Sequence, residues 1–133
     1  MPEQTILIVD DDQDLLVGLT ARLKANGYAV VCATDAVSAV AVARKEVPDL
    51  VILDLGLPAG DGFLVLERLR GLTDLVATPV IVLSARDPAD NEKRALDAGA
   101  VAFFQKPPDN HEFLTAVRQA LGETIALSTF LKT

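Results

Sequence analysis

Four places in this 133-residue chain carry groups able to hold a divalent cation or handle phosphate: Asp10-Asp11-Asp12, Asp54, Ser84 and Lys106. Each stands at the end of a short apolar run, at residues 5–9, 50–53, 80–83 and 101–104, Lys106 one residue further on after Gln105. Three carboxylates held together repel, so one of them protonates or a cation joins them. Ligands that are all oxygen suit a hard ion such as Mg²⁺, which keeps some waters and is completed by phosphate oxygens. A carboxylate oxygen is also a competent nucleophile toward phosphorus, giving an aspartyl-phosphate. A metal and an ammonium group would offset the charge on a transferred phosphoryl group. A serine hydroxyl can hydrogen-bond one of its oxygens. Singly, each group has a plainer reading: an Asp before a helix is a cap, a Ser at a strand exit a turn, a lone Lys a surface charge. Asp54 itself is either a phosphate or metal handler or an N-cap.

The elements around these groups decide whether they can meet. Leu50-Val51-Ile52-Leu53 is apolar at every position, as in a strand buried on both faces, and Gly56 and Pro58 then turn the chain. Residues 5–9 and 28–33 read as two further strands. Leu15, Leu16, Leu19 and Leu23 fall at helical spacing between them, with Asp12 or Asp11 as N-cap, Asp14 in the first turn and Gly27 as the stop. A second helix is expected from Thr34 or Asp35 to about Lys45. A third places Phe63, Leu64, Leu66 and Leu69 on its apolar side, after a loop at 58–62. Strand 80–83 precedes a polar helix over 87–98, with Leu96 and the alanines inward and Gly99 as stop. Strand 101–104 precedes a last helix from about Asn110 to Leu121, burying Phe113, Leu114, Val117 and Leu121. Strand and helix thus alternate five times, which predicts an α/β fold with an open five-stranded parallel sheet. The chain is too short for a closed eightfold barrel. Parallel connectivity brings all strand exits to one edge, so the four groups converge on one pocket.

Composition bounds the partners. Half of the residues are hydrophobic but only 5% aromatic, which makes an aliphatic core for one domain. A formal charge of −7 argues against direct nucleic-acid binding. Cys32 is the one cysteine and reads as a small buried thiol. The start lacks a basic region, and no apolar run approaches a membrane span, so the expectation is a cytoplasmic protein without membrane contact. His111 reads as a solvated helix-start residue.

Five segments occurring in order carry a specific resemblance: Ile6-Leu7-Ile8-Val9-Asp10-Asp11, Pro48 through Pro58, Gly60-Asp61-Gly62, Thr78 through Ala85, and Gly99-Ala100 through Lys106-Pro107. They resemble the receiver domain of response regulators in bacterial two-component signalling, over residues 5–121. The resemblance implies a flavodoxin-like (βα)5 fold with strand order 2-1-3-4-5. It makes Asp54 the phosphoacceptor, with Asp10 and Asp11 the acidic pair for Mg²⁺ and Gly56 a backbone-carbonyl ligand. Ser84 corresponds to the switch hydroxyl, Phe103 to the switch aromatic, Lys106 to the phosphate-contacting lysine, and Ala85 to the small residue that leaves the phosphoryl group room. Lys106-Pro107 matches a cis peptide. Such a domain is a phosphoacceptor rather than an enzyme, although it assists its own phosphorylation and dephosphorylation. Its implied partners are a sensor histidine kinase or phosphotransfer protein and a downstream output domain or protein. The implied output surface lies over helix 4, strand 5 and helix 5, and the resemblance also allows a phosphorylation-dependent homodimer. Residues 122–133 then form a tail or linker to an output domain.

Some positions depart from the pattern. Phe103 stands where Tyr is frequent, and so has no hydroxyl to bond after turning inward. Leu57 replaces a frequent Met, Pro108 a frequent Phe, and Val101-Ala102 the acidic pair of receivers that dimerise through the surface just named. Gly56 and Arg86, two residues beyond Asp54 and Ser84, flank the path of a water attacking an acyl phosphate. Gly56 offers that water no side chain and Arg86 can shield the phosphoryl group, which predicts a long-lived phosphoform. Two other readings stay open. One is a receiver-like interaction module that works without phosphorylation. The other is a haloacid-dehalogenase-type phosphatase using Asp10-x-Asp12, which leaves Asp54 without a role.

Overall fold

The computed structural model describes residues 3–123. Its order is β1 (Thr5–Val9), α1 (Gln13–Ala25), β2 (Ala29–Ala33), α2 (Ala36–Glu46), β3 (Leu50–Leu53), α3 (Gly62–Arg70), β4 (Val80–Ser84), α4 (Pro88–Asp97), β5 (Ala102–Gln105) and α5 (Asn110–Ala120). The strands form one parallel sheet in the order β2-β1-β3-β4-β5. The expected fold class and strand order are both present.

Alternation along the central strands builds two cores. Leu7, Val9, Val51, Leu53, Val80 and Val82 pack with α2, α3 and Ala95 of α4 on one face. Ile6, Ile8, Leu50, Ile52, Ile81 and Leu83 pack with α1 and α5 on the other. Every residue of β1, β3 and β4 except Thr5 is therefore buried, which is why those strands read as unbroken apolar runs. Among the described residues, each helix starts on an aspartate cap: Asp12, Asp35, Asp61, Asp87 and Asp109 accept from backbone N–H groups of the first turn at 2.7–3.2 Å. A carboxylate there satisfies orphan donors and meets the positive end of the helix dipole. The cap of α3 is Asp61, which removes the N-cap reading of Asp54.

Three sequence expectations need correction. Cys32 is exposed, because β2 is an edge strand; its Sγ lies 3.7 Å from Thr20 Oγ1 at the rim of α1. Leu96 is 42% exposed and Ala89 is exposed as well, whereas Ala95 faces inward as expected. In α3, Leu64 points outward and Val65 inward. Residues 63–66 are apolar without a break, so spacing alone left the phase of that helix ambiguous. The tail expected at 122–133 lies beyond the described residues except for Gly122 and Glu123.

At the end of the sheet away from the strand exits, the Tyr28 hydroxyl donates to Glu123 Oε1 at 2.7 Å, and Gln4 Nε2 donates to the Leu121 carbonyl. Burial and the Glu123 carboxylate push the Tyr28 phenol up to about 12. A raised value means that the contact is intact below the ordinary tyrosine pKa of about 10 and is lost as pH rises toward 12. Tyr28 is the sole tyrosine and the chain has no tryptophan, so ultraviolet titration reads this group alone. The ionisation midpoint is expected near 12, and Glu123→Gln should lower it; a wild-type midpoint near 10 would refute the contact.

Candidate phosphoacceptor and metal site

The strand exits are fixed by backbone hydrogen bonds that run one residue beyond the strands. Asp10 N–H donates to the Ala33 carbonyl at 3.0 Å, Asp54 N–H to Val9 at 2.9 Å, and Lys106 N–H to Ser84 at 2.9 Å. Asp10, Asp54, Ser84 and Lys106 are thus positioned by the rigid sheet rather than by loops. The Lys106-Pro107 peptide is cis, as the resemblance implied.

Asp10, Asp11 and Asp54 each offer a carboxylate oxygen within 4.8 Å of the others. Asp10 and Asp54 are buried and Asp11 is exposed. Lys106 Nζ lies 2.8 Å from Asp10 Oδ2 and 3.5 Å from Asp54 Oδ2, so one ammonium serves both buried acids. Asp12 N–H donates to Asp10 Oδ1 at 2.9 Å, and Gly56 N–H to Asp54 Oδ1 at 3.3 Å. Burial raises the Asp10 carboxyl above the usual range against the opposing pull of Lys106 and Asp12, with the Asp54 charge adding to the rise. For Lys106, burial acts downward, but the hydrogen bond to Asp10 and the charges of Asp54 and Asp10 outweigh it and the net shift is upward. This donor set fits a hard divalent cation: it is all oxygen, carries excess negative charge and leaves Asp11 open to solvent.

The remaining sequence candidates surround this cluster. Ser84 is buried, and its Oγ accepts from Arg86 N–H at 3.2 Å. The Arg86 guanidinium pairs with Asp61 Oδ2 at 3.0 Å, bridging the loop after β4 to the cap of α3. Ala85 and Gly56 are exposed, leaving the approach free of bulky side chains. Phe103 is half-buried on β5, opposite Val82, and packs on the α2–α3 core. Asp12 caps α1 through Leu15 N–H, so the second acid needed by the phosphatase reading serves the helix instead.

Sequence reasoning missed two contributors in Gly60-Asp61-Gly62. Asp61 is both helix cap and partner of Arg86. Gly62 lies so close to the segment after β3 that a Cβ would meet the Asp54 carbonyl oxygen and come within 2.6 Å of Leu55 Cα. The first turn of α3 thereby rests directly on the backbone that holds Asp54. Gly62→Ala is expected to cost about 1–3 kcal/mol in denaturant unfolding, the usual range for overpacking. An unchanged midpoint would mean that this approach is slack. The Gly-Asp-Gly triplet was visible, but the distance it permits was not.

The comparisons with known proteins agree with this fold. The model of the response regulator receiver domain matches residues 6–118. The transcriptional regulatory protein KdpE of Mycobacterium tuberculosis is 41% identical over 121 residues, which cover 91% of this chain and 52% of KdpE. The chain spans about half the length of the curated relatives it matches. Among solved structures, a response regulator receiver domain protein from Methanospirillum hungatei superposes with a TM-score of 0.84 at 29% identity, covering 91% of this chain and 95% of that one. The receiver domain of sensor histidine kinase PA1611 from Pseudomonas aeruginosa, solved with a magnesium ion in its active-site cleft, gives 0.83 at 26% identity, covering 92% and 100%. Sheet order, helix placement and the match over residues 6–118 lead to one assignment: the chain belongs to the response regulator receiver domain family.

Proposed function

We propose that this chain is a phosphorylation-dependent signalling switch in which Asp54 accepts a phosphoryl group from a partner kinase's phosphohistidine or from a small acyl phosphate. The observation that carries the reading is Lys106 Nζ within 2.8 Å of Asp10 and 3.5 Å of Asp54, beside a three-carboxylate cluster. An Asp54 oxygen attacks phosphorus, a P–O bond forms to the carboxylate, and the P–N or P–O bond of the donor breaks with its electrons leaving on the donor. Gly56 N–H holds the other carboxylate oxygen, which orients the attacking one. Lys106 stands ready to exchange a carboxylate contact for a phosphoryl oxygen as charge builds there. Asp10, Asp11, Asp54 and the Gly56 carbonyl would hold a Mg²⁺ ion, which would supply further charge compensation, as the magnesium in the PA1611 receiver suggests.

The switch then follows from Ser84. Drawn toward a phosphoryl oxygen, its hydroxyl leaves the Arg86 N–H, and Phe103 turns into the space released. The surface over α4, β5 and α5 changes for an output domain or protein. This is a shift between two populations, no larger than the phosphoryl contacts provide; a full 1:99 to 99:1 reversal needs about 5.5 kcal/mol. The similarity to KdpE, a transcriptional regulatory protein of which the match covers 52%, supports an output domain joined in the same polypeptide. A homodimer, a cytoplasmic location and the absence of direct nucleic-acid binding by this domain belong to the same reading. Among the described residues no helix is long and apolar enough to cross a membrane.

The test is incubation with acetyl phosphate and Mg²⁺, followed by intact-mass measurement and peptide mapping. One added phosphoryl group on the peptide holding Asp54, absent when Mg²⁺ is chelated, is the expected result. Label on another residue would overturn the assignment.

A further inference from the structure

Helix α4 is held differently from its neighbours. It buries only Ala95, whereas α3 buries Phe63, Val65, Leu66 and Leu69. Between the two helices lies a cleft of about 390 Å³ lined by Phe63, Glu67, Arg70, Arg94 and Ala98. Three arginines span this seam along its length. At the start of α4, Arg86 pairs with Asp61, the cap of α3. In the middle, the Arg94 guanidinium lies 3.7 Å from the centre of the Phe63 ring, in cation–π range. At the far end, Arg70 Nη1 donates to the Ala98 carbonyl at 3.3 Å and covers Gly99, where any Cβ would collide with the guanidinium. Gly99 is at φ +111°, a conformation that favours glycine, and its missing side chain leaves the place that the Arg70 guanidinium takes.

We infer that these three arginine contacts form a lace that holds α4 against α3 in the resting protein, and that Ser84 releases it from the end nearest Asp54. The inference rests on the phosphoacceptor reading and names its conformational consequence. Arg86 is the link, since its backbone N–H donates to Ser84 Oγ while its side chain grips Asp61. Moving Ser84 breaks the first contact and shifts the residue that makes the second. The other two contacts involve partly solvated cations, each weak enough to yield in turn. A helix anchored by one buried alanine has little apolar burial to resist that movement. The cleft then widens and uncovers Phe63.

Arg70 and Arg94 contact neither Asp10, Asp54 nor Ser84, so their variants test the lace without touching the site. The whole chain is compared as wild type, Arg94→Gln and Arg70→Gln, by hydrogen exchange over α4 and by titration with beryllofluoride in Mg²⁺. Both variants should speed α4 exchange about two- to fivefold in the resting protein and tighten beryllofluoride binding by a similar factor. Unchanged α4 exchange would overturn the lace. So would faster exchange with weaker beryllofluoride binding, because the contacts would then support the active arrangement. A wild-type chain that takes no beryllofluoride refutes the phosphoacceptor reading instead, and exchange alone then judges the lace.

Discussion

Asp54→Asn is expected to abolish phosphoryl uptake from acetyl phosphate completely while leaving the fold intact. An amide oxygen is a poor nucleophile toward phosphorus, yet the asparagine carbonyl can still accept from Gly56 N–H. Lys106 keeps its shorter contact, to Asp10. Removing the Asp54 charge also relieves one of the influences that raise the Asp10 carboxyl. Urea unfolding at pH 7 without Mg²⁺ should therefore place the variant within about 1 kcal/mol of wild type, or above it. Intact-mass measurement reads the chemistry and the unfolding midpoint reads the fold. A phosphoryl group gained by Asp54→Asn under Mg²⁺ would sink the assignment.

Lys106→Met should do the reverse, harming both stability and chemistry. Lys106 is the cation shared by Asp10 and Asp54, its own titration is shifted upward, and its pairing is therefore complete at neutral pH and lost only on the alkaline side. Methionine retains most of the side-chain volume but leaves two buried carboxylates facing each other. Breaking a buried pair costs about 3–5 kcal/mol, and the partial exposure of the Lys106 side chain reduces this to about 2–4 kcal/mol. Lowering the pH should recover part of the loss, since protonating a carboxylate ends the repulsion. Mg²⁺ should recover about 1.4 kcal/mol at ten times its dissociation constant. The initial rate of phosphoryl uptake should fall about a hundredfold or more, as when a preorganised charge contact is removed. Equal unfolding midpoints with and without Lys106, at pH 7 and without Mg²⁺, would show that the ion pairs contribute nothing.

The two substitutions separate roles that the sequence presents together. Asp54 is expected to be dispensable for folding and indispensable for phosphoryl uptake, whereas Lys106 is expected to matter for both. The difference arises because Asp10 and Asp54 compete for one cation, a relation visible only in the distances of 2.8 and 3.5 Å.

What the sequence determined by itself was the fivefold alternation of strand and helix and the groups that stand at the strand exits. Central parallel strands are buried on both faces, so they appear as apolar runs, and each run ends where the backbone leaves the sheet. Asp10, Asp54, Ser84 and Lys106 stand at those ends, and parallel connectivity alone sends them to one edge. Tertiary structure decided whatever depends on helix phase, sheet edges and side-chain reach. The apolar block 63–66 allowed two phases for α3, and the folded chain takes the one with Val65 inward and Leu64 outward, its first turn resting with Gly62 against Leu55. Cys32 was apolar by type and neighbours, but an edge strand has no sheet beyond it, and the thiol is exposed. Arg86 reads in the sequence as a shield for a phosphoryl group, and nothing in a linear pattern tells where a long flexible side chain finds a partner; folding brings Asp61 within reach of Arg86, Phe63 within reach of Arg94 and the Ala98 carbonyl within reach of Arg70.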